Sequence, residues 1–323
     1  NVAWTHTFSS AEHFVVYQLS LNPNDPAQMS QAIDGANRLI TGKELVIDVA
    51  VGPGQVIKLA KMSYSTHHGP MVVVPGNFEW GPGGSAFAIK DINLGNVDII
   101  DHWLAMNLAG NMAEFKQAFK DYDGVIFNNT MSADSEGNVY YIDDSPVPNL
   151  TATAINEMTT NPLLVGAKQA AGFTILPGFL SAFDFERPVP YANAPKYSGT
   201  DYVQNSNDSF WLTNMNAPIT GVSPLYGQVD NQQTLRSRMA HKLLADSAGS
   251  DGLFNAAELE DALLNNRSYL AEDILSTLLS ICQAQGNTPI SIGAQNVDIS
   301  LGCSALALWD GRLNINSSAA HLF

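Results

Sequence analysis

The stretch Tyr202-Val203-Gln204-Asn205-Ser206-Asn207-Asp208-Ser209-Phe210-Trp211-Leu212-Thr213-Asn214 sets neutral amide and hydroxyl side chains among aromatic residues. A carboxamide held rigid can donate to an oxyanion developing on a reacting carbonyl without carrying charge, and deleting one such donor typically raises the barrier by ~3 kcal/mol. The same composition suits an Asn-rich turn that bonds its own backbone. Residue types alone leave both readings standing. Other chemistry is sparsely marked: the sequence has no G-x-S-x-G elbow, no H-E-x-x-H and no phosphate-binding loop. His67-His68, followed by Gly69-Pro70, reads as a polar turn rather than a metal site, because neighbours on a strand point to opposite faces. His6 and His13 lack a carboxylate arrangement that would complete a ligand set. Asp251-Gly252-Leu253-Phe254 invites a calcium-loop reading, but the register puts Ser247 at position 1 and Gly249 at position 3, which loses or weakens two ligands. The segment reads instead as a helix start, with Asn255 as N-cap and Glu258 at N3. Cys282 and Cys303 fit either a disulfide or two buried thiols; without help from distant ligands they cannot make a four-ligand zinc site.

The elements that must hold these residues change character along the chain. Glu44–Val49 and Val56–Met62 read as a hairpin across Gly52-Pro53-Gly54. His13–Leu19 and Met71–Val74 are further strand candidates. Apolar residues at i, i+3, i+4 spacing predict helices over Val97–Asn107 and Met112–Tyr122. Strands return over Val125–Ser132 and Asn138–Ile142, joined by the turn chemistry of Asp134-Ser135-Glu136-Gly137-Asn138. Ser145 to about Tyr202 reads as irregular connection packed over the sheet. Helices are expected over Leu235–Ala245, Ala256–Leu264, Leu270–Cys282 and Val297–Trp309. Strands followed by helices predict an α+β fold, with a strand-rich part over residues 1–230 and a helical segment over 231–323.

The chain has 323 residues and a net charge of −16, with 15 basic and 31 acidic side chains. This balance argues against nucleic acid and against an anionic membrane surface. Charged residues are only 14% and hydrophobic ones 45%, enough for a large core. No apolar run approaches the ~18 residues of a membrane span. The chain opens on Asn1 with no visible signal peptide and closes on an apolar Ala319-Ala320-His321-Leu322-Phe323, and is expected to be an internal piece of a longer protein.

Four ordered segments carry a resemblance. Asn205–Asn214 closely resembles the Q-N-S-N-D-S-x-W-L segment of acyl-homoserine lactone acylases, within the penicillin amidase family of N-terminal nucleophile hydrolases. Ala3-Trp4-Thr5-His6-Thr7 resembles the family's A-W-T-H-T strand. Ala133-Asp134-Ser135-Glu136-Gly137-Asn138, followed by Pro146-Val147-Pro148, resembles its A-D-x-x-G-N turn. Ala305-Leu306-Ala307-Leu308-Trp309-Asp310 resembles its A-L-A-x-W-D helix. The resemblance covers nearly the whole chain and places it in the middle of the family's large β chain, which implies an αββα sandwich.

It also implies roles. Asn207, through its side chain, and Phe8, through its backbone N–H, match the oxyanion donors. Arg236, in Arg236-Ser237-Arg238, matches the residue that orients the Asn and the nucleophile's amine. Trp103 and Phe127 match the lining of the acyl chamber. Asn128 stands where relatives carry an aliphatic residue, which bears on acyl length. The nucleophile, an N-terminal Ser freed by self-cleavage, lies outside this chain, so the chain alone is expected to be inactive. The expected substrate is an N-acyl-homoserine lactone. A β-lactam or lipopeptide acylase is the alternative within the class, and a non-catalytic binding domain the alternative outside it. The partner expected is the α chain of the same precursor, with no cofactor and no metal. Ser10-Ala11-Glu12-His13-Phe14 lacks most acids of the calcium site that some relatives carry. Export to the periplasm or outside the cell would favour a Cys282–Cys303 disulfide.

Overall fold

The computed structural model describes every residue except 26, 28, 81–84 and 247; the calcium-loop reading at Ser247 therefore falls outside the described residues. By backbone contacts the chain divides into two compact units, Asn1–Val203 with Ser209–Val229, and Gln204–Asp208 with Asp230–Phe323. The pentapeptide Gln204–Asp208 thus groups with the residues after Asp230.

The first unit holds, in order, β1 (Val2–Phe8), β2 (Phe14–Leu21), β3 (Ser30–Ile33), β4 (Ala36–Leu39), β5 (Thr41–Gly52), β6 (Gln55–Thr66), β7 (Gly69–Val72), β8 (Ser85–Asp91), α1 (Ile99–Leu108), α2 (Met112–Asp121), β9 (Asn128–Asp134), β10 (Val139–Asp143), α3 (Ala152–Thr160), α4 (Pro162–Ala171), β11 (Ile175–Pro177) and β12 (Lys196–Gly199). One sheet runs β1-β9-β10-β12 and the other β4-β3-β2-β8-β7-β6-β5, with β11 parallel to β2. Buried residues of both sheets and of α1, α2 and α3, among them Tyr17, Ala88, Met106, Phe115, Phe119, Tyr140 and Ala154, fall in one continuous apolar cluster. This is the layered α+β arrangement expected, because each sheet has one apolar face to bury.

The β9–β10 turn is built as its residues predict. Asp134 Oδ1 accepts from Glu136 N (3.0 Å) and Asn138 N (2.9 Å), and Gly137 takes a left-handed φ of 86°. The β5–β6 hairpin pairs Glu44 with Met62 and Val49 with Ile57. Its Val46, Ile47, Val56 and Leu59 are exposed.

Ser145–Tyr202 departs from the irregular connection expected, since α3, α4, β11 and β12 lie within it. Asn161 is the reason the periodicity is hidden. It caps the C-terminal end of α3, while its side chain accepts from Leu163 N at the start of α4, and Pro162 fixes the first turn. α3 buries only Ala154 and Met158 and α4 buries no residue, so neither carries a full apolar stripe.

The second unit holds α5 (Leu235–Asp246), α6 (Ala256–Leu264), α7 (Tyr269–Gln285), a β13–β14 hairpin (Ile290–Ile292, Gln295–Val297) and α8 (Ser300–Ala307). The Asn255–Glu258 capping box forms as the sequence predicts. The helix expected from Val297 starts three residues later. Gly293, at φ 60°, turns the preceding residues into the hairpin, and Asp298 accepts from Ser300 N (2.9 Å). Cys282 and Cys303 are bonded, their Cα atoms 5.6 Å apart, which fastens α8 to α7. Among the described residues no helix is long and apolar enough to cross a membrane.

Candidate active site

In the second unit the Asn-rich loop is a set of interlocked hydrogen bonds. Asn205 Oδ1 accepts from Asn207 N (2.8 Å), and Asn205 Nδ2 donates to Asp208 O (2.9 Å). Asn207 adopts φ 70°, a left-handed conformation that Asn tolerates better than most residues. Arg236 Nη2 reaches both Ser206 O and Asn207 Oδ1, each at 2.6 Å. A guanidinium only donates, so the atom facing it must be the amide oxygen, and the Asn207 nitrogen turns away from Arg236. The oxygen and nitrogen of this amide are thereby assigned by chemistry rather than by convention.

The loop is also anchored to the start of α5. Asp208 Oδ2 accepts from Thr234 N and Thr234 Oγ1, each at 2.9 Å, and Thr234 Oγ1 accepts from Ser237 N (3.3 Å). A carboxylate is favoured at a helix N-terminus; an arginine in the first turn is not. Arg236 therefore sits where the helix gains nothing from its charge, and its partners are the loop.

In the first unit β1 lies at the end of its sheet and pairs with β9 from Val2↔Asp134 to Phe8↔Asn128. Ser9 N donates to Phe127 O (2.9 Å), so Ser9 and Phe127 form a hydrogen-bonded pair. The antiparallel ladder alternates. Phe8 is therefore in a non-hydrogen-bonded pair, with its N–H pointing away from β9. Its carbonyl accepts from Asn129 Nδ2 (3.0 Å), which also donates to Thr7 Oγ1 (3.1 Å), while Asn129 Oδ1 accepts from Tyr141 Oη (2.6 Å). Ser9 Oγ, just beyond, donates to the buried Asp143, whose carboxyl burial pushes up to about 6.

Trp4, His6 and Phe8 share one face of β1 by alternation. Trp103, on α1, meets that face edge-on, its ring 5.7 Å from Trp4 and 4.7 Å from His6. Burial lowers His6 to about 4, so the ring is neutral near pH 7. Phe127 stacks on Phe8 at 5.4 Å with planes 11° apart; the two are 41% and 67% exposed. Asn128 is buried, its Nδ2 3.5 Å from Thr7 O. The first unit thus brings Phe8, Phe127 and Asn128 together, with Trp103 further along the same face. The second brings Asn207 and Arg236 together.

Sequence reasoning missed Asn129, Asp143 and the Asp208–Thr234 pair. Only the Asn128-Asn129 doublet was a visible signal, since the others depend on strand register or helix capping. It also missed a cavity of about 700 Å³ lined by Met158, Val165, Lys168, Phe210, Val222 and Val229 among others, which includes none of the residues assigned by resemblance. Glu12, in the segment compared with a calcium site, pairs with Lys168 and accepts from Thr174 N (2.7 Å).

The histidine doublet, His67 and His68, lies in a turn, as its residues predict, between β6 and β7; strand alternation does not apply there, so the rings are not splayed apart. Their ring centroids are 3.7 Å apart, and both rings face Asp184.

Comparison with known proteins agrees along the whole chain. The penicillin amidase family model matches residues 1–323. Acyl-homoserine lactone acylase PvdQ of Pseudomonas fluorescens is 31% identical over 325 residues, covering 98% of this chain and 39% of the relative. Aculeacin-A acylase of Actinoplanes utahensis is 34% identical over 338 residues, covering 100% of this chain and 41% of the relative. The chain therefore spans about two fifths of the length of these relatives. Penicillin G acylase from Alcaligenes faecalis shares the fold, with a TM-score of 0.60 at 17% identity over 98% of this chain and 49% of its own. A family model matched from the first residue to the last, on a fold that penicillin G acylase shares, means that this chain belongs to the penicillin amidase family.

Proposed function

We propose that this chain is part of an amide hydrolase that releases the fatty acyl group from N-acyl-homoserine lactones. The Arg236–Asn207 contact carries the reading, because it presents a neutral amide N–H as an oxyanion donor would need. In this reading the second donor is Phe8 N–H, which β1 directs away from its neighbouring strand. Asn207 and Phe8 belong to different units, and each is prepared within its own.

The nucleophile is an N-terminal Ser outside this chain. Its α-amine, with a pKa near 8, takes the proton of its own hydroxyl as that oxygen attacks the amide carbonyl. The α-ammonium returns that proton to the departing nitrogen as the C–N bond breaks, so the head group leaves as its neutral amine, and water, activated by the freed α-amine, then releases the acid from the acyl ester. Phe127 and Trp103 line the acyl site in this proposal, and Asn128 sets its polarity. Burial of ~0.8 kcal/mol per methylene supplies preference for chain length. The protein is proposed to pair with an α chain from the same precursor and to work in the periplasm or outside the cell, an oxidising setting that suits the Cys282–Cys303 bond.

A second reading, deacylation of a lipopeptide or β-lactam antibiotic, is favoured by the 34% identity to aculeacin-A acylase and by the match to the penicillin amidase family. The two separate on assaying the complete enzyme against acyl-homoserine lactones, aculeacin-type lipopeptides and penicillins. Release of homoserine lactone as the fastest reaction supports the first reading, and cleavage of only the antibiotics replaces it with the second. The 323-residue chain by itself should show no turnover, and measurable hydrolysis by it would remove the external nucleophile from the account.

A further inference from the structure

We propose that His67, His68 and Asp184 form a binding site for a borderline divalent transition-metal ion of the zinc class. One donor atom from each lies within 4.8 Å of the others. Asp184 Oδ2 is 3.7 Å from His67 Nε2, and Asp184 Oδ1 is 3.7 Å from His68 Nδ1. A tetrahedral ion with bonds of about 2.0–2.1 Å holds its donors roughly 3.4 Å apart. Each histidine nitrogen lies within a few tenths of an ångström of that spacing from one of the two carboxylate oxygens, the three donors lie within 4.8 Å of one another, and the partly exposed His67 ring can supply the remaining movement.

The surroundings already fix the ring nitrogens as a metal site requires. His68 Nε2 is 3.1 Å from Gly178 O. A carbonyl only accepts, so Nε2 carries the hydrogen, and a neutral ring leaves a lone pair on Nδ1. That Nδ1 is buried, has no hydrogen-bond partner and faces Asp184. The ring is clamped by stacking on Tyr17 at 4.0 Å. A ligating histidine almost always donates its other N–H to a carbonyl or carboxylate, which sets its tautomer and orientation.

His67 has the matching arrangement through Gln31, whose side-chain amide touches Nδ1 at 3.3 Å. Turned with Oε1 toward the ring, that amide takes the Nδ1 proton and leaves the Nε2 lone pair for the ion; the amide's orientation is itself set only by such bonding. Gly69 holds the turn close, since a Cβ there would lie 2.3 Å from Ile89 O.

Two imidazoles and one carboxylate suit zinc, cobalt or iron(II) and disfavour calcium and magnesium, which prefer all-oxygen shells. Lys90 competes for the carboxylate through Oδ1 (2.6 Å), which makes the affinity moderate and leaves Oδ2 as the better ligand. Bound there, the ion would join the end of β6 to the segment that follows β11.

The test uses the intact untagged protein that contains this chain, freed of metal with a chelator and titrated with Zn²⁺ by calorimetry. Co²⁺ absorption serves as the coordination readout. Expected are one Zn²⁺ per chain, no displacement by excess Mg²⁺ or Ca²⁺, a tetrahedral Co²⁺ spectrum, and at least tenfold weaker binding in His67→Gln and Asp184→Asn. If Asp184→Asn fails to fold, His67→Gln, which alters a partly exposed turn residue, decides the matter. Absence of stoichiometric Zn²⁺ uptake by the wild type, or uptake unchanged in His67→Gln, would establish the cluster as an ion-pair anchor and overturn the proposal.

Discussion

Arg236 Nη2 lies 2.6 Å from Asn207 Oδ1 and, from the same nitrogen, 2.6 Å from Ser206 O. One exposed guanidinium therefore fixes both a catalytic candidate and the backbone one residue before it. Asn207→Ala in the complete enzyme should lower kcat about a hundredfold or more, with little change in stability. Arg236→Ala should lower kcat by roughly tenfold through loss of orientation, and Arg236→Lys, which keeps donors and charge, should restore part of that. Single-turnover acylation rates measure both, and near-normal rates for Asn207→Ala would return this residue to a turn-forming role.

His102 provides an acid-sensitive point in the first unit. It is fully buried, and its Nδ1 accepts from Gly124 N (3.0 Å), so protonation at Nδ1 breaks that bond. Burial lowers it to about 4, with the neighbouring His6 adding to the effect. Its folded pKa is below its unfolded value. The stability it contributes is therefore complete above about pH 6.5 and is lost as pH falls toward 4, by about 3 kcal/mol. His102→Asn, which keeps an acceptor near the Nδ1 position, should be less stable at pH 7.5 yet lose less between pH 6.5 and 4. Denaturant unfolding across that range checks this, and identical slopes for the two proteins would assign the acid sensitivity elsewhere.

Reduction should act locally on the second unit. The Cys282–Cys303 bond closes a 21-residue separation, for which chain entropy predicts about 3 kcal/mol. Only Leu306 of the eight-residue α8 is buried. Dithiothreitol should accelerate amide hydrogen exchange over Ser300–Ala307 well before the first unit responds. Uniform exchange changes across the chain would argue against a local role.

The legible parts of the molecule were those governed by local chemistry. The β5–β6 hairpin, the Asp134–Asn138 turn and the Asn255–Glu258 box follow from turn residues, alternation and capping within a few positions. The α3–α4 pair was hidden because Asn161-Pro162 ends one short helix and begins the next, which leaves no long periodic window. For the candidate site, the Asn-rich loop stood out by composition, and its register with Arg236 came from resemblance. Asn129, by contrast, acts through a cross-strand neighbour, and Asp184 meets His67 and His68 across more than a hundred residues of chain. Such meetings are set by sheet register and loop packing, which no local window contains.

The grouping of Gln204–Asp208 with the residues after Asp230 bears on any shortened form of the polypeptide. A version ending near Val229 would still spell out Asn207. It would lack Thr234 and Arg236, and the carboxamide would lose the guanidinium that holds its oxygen. Harmful changes at the start of α5 should therefore mimic loss of the Asn207 carboxamide while leaving Asn207 itself intact.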